Sequence, residues 1–326
     1  MILLTGASGR IGKVVIDDLL NRGYAVRATT RKSSGGLTGE HPNLEWFPFD
    51  FETDRDYDSL LSRCTGVVHL AAELGDMSKM ERVNAEATAE LARASERNLV
   101  KSFCYVSSVS VYGSGSSVDT TEDSPVLTHE RDIKSEYWAL DYVRMYGRTK
   151  LKGELAIRDV ARNAYYTILR PTVVVSVDNI IGIREWSLVK RALAGHRHAH
   201  HLYVDDLSDV ILWSLQRGLD EPSRRGDVDT FIVAEDDYSG PRHRDFMRKA
   251  AAVSRDPRFR VPTIPGFADW LHDFLRFHSL PPRNPLWKMR FSSERLAKAG
   301  YRRRFGLAHA ERMALEQLAH EASPDS

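Results

Sequence analysis

The sequence predicts an α/β protein, a doubly wound parallel sheet joined to a smaller, mostly helical lobe. Three observations carry this. The apolar run Met1-Ile2-Leu3-Leu4 leads into Thr5-Gly6-Ala7-Ser8-Gly9-Arg10-Ile11-Gly12, a strand entering a glycine turn that opens a helix. Strand and helix signals then alternate as far as residue 170, the pattern of parallel strands joined by right-handed crossovers. Beyond about residue 240 the chain reads as helical pieces broken at Pro257, Pro262, Pro265, Pro281, Pro282 and Pro285.

Taken in order, residues 2–5 form strand one and 11–21 a helix that ends near Gly23. Strand two covers 24–30, and strand three covers 44–47 after a Gly-rich loop. A helix over 56–64 precedes strand four at 66–70. A long Ala/Glu/Leu-rich helix over 79–98 leads to strand five at 101–107. Residues 113–135 are a polar Ser/Thr-rich loop, read as a rim or lid of the site. A helix over 137–162 precedes strand six at 166–169, stopped by Arg170-Pro171. The chain returns to a helix at 208–217 and a strand at 230–234. The main domain is therefore residues 1–170, completed by about 203–235. The lobe takes 171–202 and 236–326.

The 326 residues are 42% hydrophobic and 28% charged, as in an ordinary globular protein with a full core. No apolar run reaches membrane-spanning length, and Met1 opens strand one directly, so neither a membrane partner nor a signal peptide is expected. Cys64 and Cys104, both in apolar surroundings, read as buried thiols of a reducing, cytoplasmic compartment. Net charge is +1, but residues 241–306 hold 16 Lys/Arg against 5 Asp/Glu, a local +11. This is either a solvated basic lobe or a face for an anionic small molecule, with Arg283, Lys288 and Arg290 beside Trp287 as candidate contacts. No aromatic or basic repeat supports a nucleic-acid partner.

The glycine turn is a phosphate cradle. Gly6 permits the bend, Gly9 lets pyrophosphate reach the backbone, and Gly12 lets the helix lie close to the strand. The phosphates then meet the free N–H groups of the helix start. Strand two ends Thr29-Thr30-Arg31-Lys32, with Thr30 where an NAD-binding acid would stand. Two cations there can clamp a 2′-phosphate, so NADP is favoured over NAD. On the 137–162 helix, Tyr146 and Lys150 lie four residues apart and share a face. A nearby ammonium favours the phenolate of Tyr146 and so suits it to proton transfer. In His196-Arg197-His198-Ala199-His200-His201 no Cys or acid shares a ligand spacing, so this reads as an exposed loop at the substrate rim, and no metal is expected.

Tyr146-Gly147-Arg148-Thr149-Lys150, Ser107-Ser108 upstream and the glycine turn together resemble the extended short-chain dehydrogenase/reductase superfamily. This branch holds the NAD-dependent epimerase/dehydratase family and the dihydroflavonol-reductase-like enzymes. The resemblance implies a Rossmann domain and places Gly6, Ser8, Gly9, Arg10, Ile11 and Gly12 on the cofactor. It adds Asp50 and Phe51 at adenine, Leu70, Ala71 and Ala72 against the cofactor, Ser107 on the cofactor side, and Pro171 and Val173 near the nicotinamide. It implies Ser108, Tyr146 and Lys150 as the catalytic set, with Asn84 behind Lys150. The Asp205-Asp206 pair is read as structural, as the family pattern implies, and His69 as a packed strand residue. The resemblance further implies hydride transfer between nicotinamide and a secondary alcohol or ketone. A nucleotide-sugar epimerase and a non-catalytic NADP-sensing regulator are the alternatives. Ser108-Val109-Ser110 replaces the Thr-Asp-Glu of sugar dehydratases, and Ala199 stands near the usual diphosphate-binding arginine. The long helices could form the family's four-helix homodimer, or the chain could be a monomer.

Overall fold

The computed structural model describes residues 1–31, 41–113, 119–127, 141–195, 199–236, 243–262, 265, 267, 271 and 290–323. Seven parallel strands form the central sheet: β1 (Ile2–Thr5), β2 (Val26–Thr30), β3 (Leu44–Pro48), β4 (Gly66–His69), β5 (Ser102–Val106), β7 (Tyr165–Pro171) and β10 (Val228–Val233). Their order is β10-β7-β5-β4-β1-β2-β3, so the winding reverses between β1 and β4. Ligands of such sheets sit in the crevice beyond the strand ends at that reversal.

Successive residues of β1 point to opposite faces, yet all are buried, because helices cover both faces. Ile2 and Leu4 join a core with Val15, Ile16 and Leu19 of α1 (Arg10–Asn21) and with Val210, Ile211 and Leu215 of α8 (Val204–Asp220). Leu3 joins the opposite core, with Leu91 of α4 (Ala87–Arg97) and Ile157 of α5 (Asp141–Val160). Helix α1 buries Gly12, Val15, Ile16 and Leu19, the spacing of a single stripe. It ends in a Schellman turn: Tyr24 N donates to Leu19 O and Gly23 N to Leu20 O, with Gly23 at φ +80°.

Several boundaries differ from the sequence reading. The helix expected over 56–64 is only α2 (Tyr57–Leu61), since Arg63 turns to φ +65°. The 79–98 helix starts earlier, at α3 (Met77–Met80), and passes through a π-helical turn, Glu81–Glu86, before α4. Helix α5 is described from Asp141, and residues 137–140 lie outside the described residues. Strand β7 does not stop before Pro171. Strand β5 ends opposite Leu169, so no neighbour on that side requires the missing N–H, and Pro171 still pairs with Val233. Helix α8 begins at Val204 rather than 208. Asp206 then anchors the C-terminal segment, accepting from Phe305 N at 2.9 Å and Gly306 N at 2.7 Å.

The short pairs β6 (Asp119–Thr120) with β11 (Arg290–Phe291), and β8 (Val173–Val175) with β9 (His201–Tyr203), flank the strand ends. The lobe has its own core, in which α6 (Val177–Ile181) and α9 (His243–Ser254) pack with Phe259 and the helix Leu307–Glu321. Of the 113–135 loop, 114–118 and 128–135 lie outside the described residues. No described helix is long and apolar enough to cross a membrane. Cys64 and Cys104 are both buried thiols, as expected.

Candidate active site

The site begins at the glycine turn. Gly6 has φ +66°, and a Cβ there would lie 2.8 Å from Ala71 N. A Cβ on Gly12 would lie 2.4 Å from Gly6 O and 2.6 Å from Ala7 O. Two of the three glycines are therefore fixed by backbone contact. The start of α1 has no capping side chain and no acid in its first turn, so its amides face outward as anion donors. A cleft runs from Gly6, Ser8 and Gly9 past Thr29, Thr30 and Arg31 to Phe49, Asp50, Phe51 and Leu70–Ala72. The cleft thus joins an amide cradle suited to phosphates with aromatic and carboxylate groups suited to a base.

Most expected cofactor residues line it. Thr30 is buried and Arg31 exposed at its rim; Lys32 lies outside the described residues. Asp50 Oδ1 accepts from Glu52 N at 2.9 Å. Phe51 packs edge-on to Phe49 at 5.0 Å. Gly12 and Ile11 lie behind the turn, Ile11 against the core. Arg10 spans the opening to the lobe, where its Nη1 donates to Asn179 Oδ1 at 2.6 Å. Pro171 is buried in β7, and Val173 is half-exposed in β8. Ser107 is buried, and its hydroxyl donates to Glu154 Oε1 at 2.5 Å. Glu52, Glu73 and Val83 also line the cleft and were missed.

A chain of hydrogen bonds supports the 70–72 segment. Thr5 Oγ1 accepts from Leu70 N at 3.1 Å and Ala71 N at 3.0 Å. Its own proton therefore goes to His69 Nδ1 at 2.7 Å, which makes Nε2 the protonated nitrogen donating to Thr88 Oγ1 at 2.9 Å. Thr88 in turn donates to Asn84 O. His69 is fully buried, and burial first, then the Lys150 charge, push its pKa well below the usual imidazole value. It is a neutral structural relay, in accord with its reading as a packed strand residue.

Asn84 sits in the π-helical turn, fully buried. Its Oδ1 accepts from Glu73 N at 2.8 Å, and its Nδ2 donates to Glu73 O at 2.9 Å and Thr149 Oγ1 at 3.1 Å. It ties the cleft wall to the residue before Lys150. A π-turn at a functional site is a recurrent device for re-aiming one side chain.

Helix α5 approaches closely because of its glycines. A Cβ at Gly147 would lie 2.3 Å from Ser110 O, and one at Gly153 2.7 Å from Tyr105 Oη. This packs the Ser108–Ser110 turn against the helix turn that carries Tyr146. Ser108 caps the 3₁₀ turn Val109–Tyr112, accepting from Ser110 N and donating to Ser110 Oγ at 3.0 Å. Lys150 is buried, its Nζ 4.3 Å from the Tyr105 ring centre and 6.0 Å from that of Tyr146. Burial pulls Lys150 down to about 7, and Glu154 opposes this. Burial pushes the Tyr146 phenol up, toward its protonated form.

Two surface expectations change. His200 is buried rather than on an exposed loop: its Nδ1 lies 2.7 Å from Asp236 Oδ2, and its ring packs edge-on to Phe291. Residues 196–198 lie outside the described residues. No group of three or more metal-ligating side chains forms among the described residues. Within the basic run, acids from elsewhere offset part of the charge: Arg258 pairs with Glu185, Arg295 with Asp123, and Arg303 lies near Glu235. Arg283, Trp287 and Lys288 lie outside the described residues, and Arg290 is exposed in β11.

Residues 2–225 match the NAD dependent epimerase/dehydratase family. The chain belongs to that family. Its members are nicotinamide-dependent oxidoreductases and epimerases of the extended short-chain dehydrogenase/reductase type. A dihydroflavonol 4-reductase of Hordeum vulgare is 26% identical over 242 residues, 64% of this chain and 65% of the relative; the chain thus spans less than two thirds of that reductase's length. Among solved structures, a short-chain dehydrogenase/reductase superfamily protein of Agrobacterium tumefaciens with bound NAD superposes with a TM-score of 0.72 at 21% identity, covering 98% of this chain and 99% of that one. MoeE5 in complex with UDP-glucose and NAD gives 0.67 at 19% identity, covering 99% of each chain. At these identities the two structures establish the fold.

Proposed function

We propose that the protein is an NADP-dependent reductase of a ketone, reversibly forming a secondary alcohol, with Ser108, Tyr146 and Lys150 as its catalytic set. The observation that carries this is the packing of Tyr146 and buried Lys150 on α5 against the Ser108 turn, on a helix that Asn84 ties, through Thr149, to Glu73 of the cleft wall. The turn at Gly6–Gly12 and the start of α1 would hold the pyrophosphate. Asp50 and Phe51 would hold adenine, and Thr30 with Arg31 the 2′-phosphate. When bound, the nicotinamide supplies or takes up hydride at its C4.

On reduction, Tyr146 gives its phenolic proton to the carbonyl oxygen; on oxidation it takes that proton back. Burial favours the protonated phenol, which suits the reductive direction. Ser108 Oγ turns from Ser110 to hold the same oxygen. Asn84 fixes Thr149 and hence the helix turn that carries Lys150. The substrate carries an anionic group, read against the basic run of residues 241–306, which includes the exposed Arg290. The named activity of the Hordeum vulgare relative favours reduction over epimerisation, and the intact Tyr146–Lys150 pair speaks against a non-catalytic sensor.

Cofactor choice is the first test. Calorimetry is expected to show NADPH binding more tightly than NADH. Arg31→Ala should cost NADPH binding about 1.5–3 kcal/mol, the worth of a charge-assisted hydrogen bond, while leaving NADH affinity unchanged. A preference for NADH that Arg31→Ala does not alter contradicts the assignment.

A further inference from the structure

The buried face of α5 carries a second charged group one helical turn beyond Lys150. Glu154 Oε1 accepts from Ser107 Oγ at 2.5 Å and Arg170 Nε at 3.0 Å, and its Oε2 accepts from Arg170 Nη2 at 2.6 Å. Arg170 Nη1 donates to Tyr112 Oη at 2.6 Å. The Arg170 and Glu154 side chains are only 5% and 1% exposed. The residue just past β5 and a residue of β7 thus converge on one carboxylate carried by α5.

Such a pair is a poor stabiliser by itself. Removing both charges from water costs about as much as their attraction returns, and well-packed apolar residues often serve as well. What an apolar pair cannot supply is a carboxylate four residues, one helical turn, from Lys150 on the buried face of α5. Among the described residues, that amine also meets the Tyr105 ring of β5 at 4.3 Å, the Tyr146 ring at 6.0 Å and, from β4, neutral His69. Two cations, Arg170 and, one turn further along α5, Arg158, act on Glu154 itself. Burial disfavours the Lys150 cation, and Glu154 is what opposes that effect.

We propose that Glu154, clamped by Ser107 and Arg170, is a positioning residue for Lys150, and that its carboxylate keeps the buried amine protonated in the working enzyme. The proposal rests on the Ser-Tyr-Lys reading above. It assigns Ser107 to the clamp rather than to the cofactor.

The test is Glu154→Gln, which keeps the volume and an acceptor for Ser107 but removes the charge. Titration of Lys150 in the ligand-free protein, followed by NMR of lysine side chains and assigned with Lys150→Met, reads the effect directly. The midpoint is expected to fall by about one pH unit, the order of one opposite charge a few ångströms away. The upper limb of the kcat/KM profile should move to lower pH by the same interval, because the neutral amine forms as pH rises. If Glu154→Gln does not fold, Glu154→Asp withdraws the charge by one methylene and should move the midpoint the same way by less. An unmoved Lys150 midpoint in the folded variant overturns the proposal. Retained turnover in Tyr146→Phe would instead overturn the catalytic reading, and the Lys150 midpoint is independent of that result.

Discussion

Tyr146→Phe is expected to lower turnover by about 10²–10⁴-fold, the usual worth of a placed general acid, while leaving cofactor affinity unchanged. The phenylalanine keeps the ring that packs near Lys150, 6.0 Å from its Nζ, and removes only the proton. Nearby Tyr142 shares the helix but is exposed and lies four residues from Tyr146 rather than from a lysine, so it offers no substitute. Steady-state NADPH oxidation with a ketone substrate, set beside calorimetric cofactor binding, checks both halves. Turnover at the unmodified rate would mean that another group donates the proton.

Gly12→Val is expected to be the most damaging change in the cofactor cradle. The first added carbon would stand 2.4 Å from Gly6 O and 2.7 Å from Ala7 C, both backbone atoms of the turn itself. Neither can rotate aside, so the start of α1 must shift. Overpacking of this kind costs about 1–3 kcal/mol of stability. Displacing two amide donors from the pyrophosphate costs about 3 kcal/mol more in binding, roughly 100-fold in Kd. Gly23→Ala is the control: φ is +80° there, but nothing lies within 4 Å of the new carbon. It should cost about 1–2 kcal/mol of stability through backbone strain and leave cofactor binding intact. Denaturant melts and calorimetry separate the two variants. Equal losses of cofactor binding in both would show that the turn geometry is not what matters.

The parts of this molecule legible in the sequence are those written locally. The Gly6–Gly12 turn declares itself because bend, phosphate approach and helix contact all fall within seven residues. Tyr146 and Lys150 declare themselves because four residues on a helix define one face. The parts that escaped are set by partners far along the chain. Glu154 meets Arg170 and Ser107, 16 and 47 residues away, and only the β5–β7 register brings them together. One signal was available: Gly147, Lys150, Glu154 and Ile157 follow the spacing of a single stripe, so an acid stood on the buried face of α5. His200 likewise looked like part of an exposed loop because its partner, Asp236, is 36 residues on. The π-turn at Glu81–Glu86 has no compositional mark; it arises where Asn84 turns in to bond Glu73 and Thr149.

The central claim is that this cleft reduces a ketone, passing hydride from a nicotinamide to its carbonyl carbon. Its most direct measurement uses NADPH carrying deuterium at the transferring C4 position, with a panel of ketones, and follows the label by mass spectrometry and NMR. The account predicts one deuterium per cofactor oxidised, fixed on the carbinol carbon of the alcohol product, and none in the Tyr146→Phe reaction above background. Turnover of substrate without net NADPH oxidation, or label lost to solvent, would contradict it.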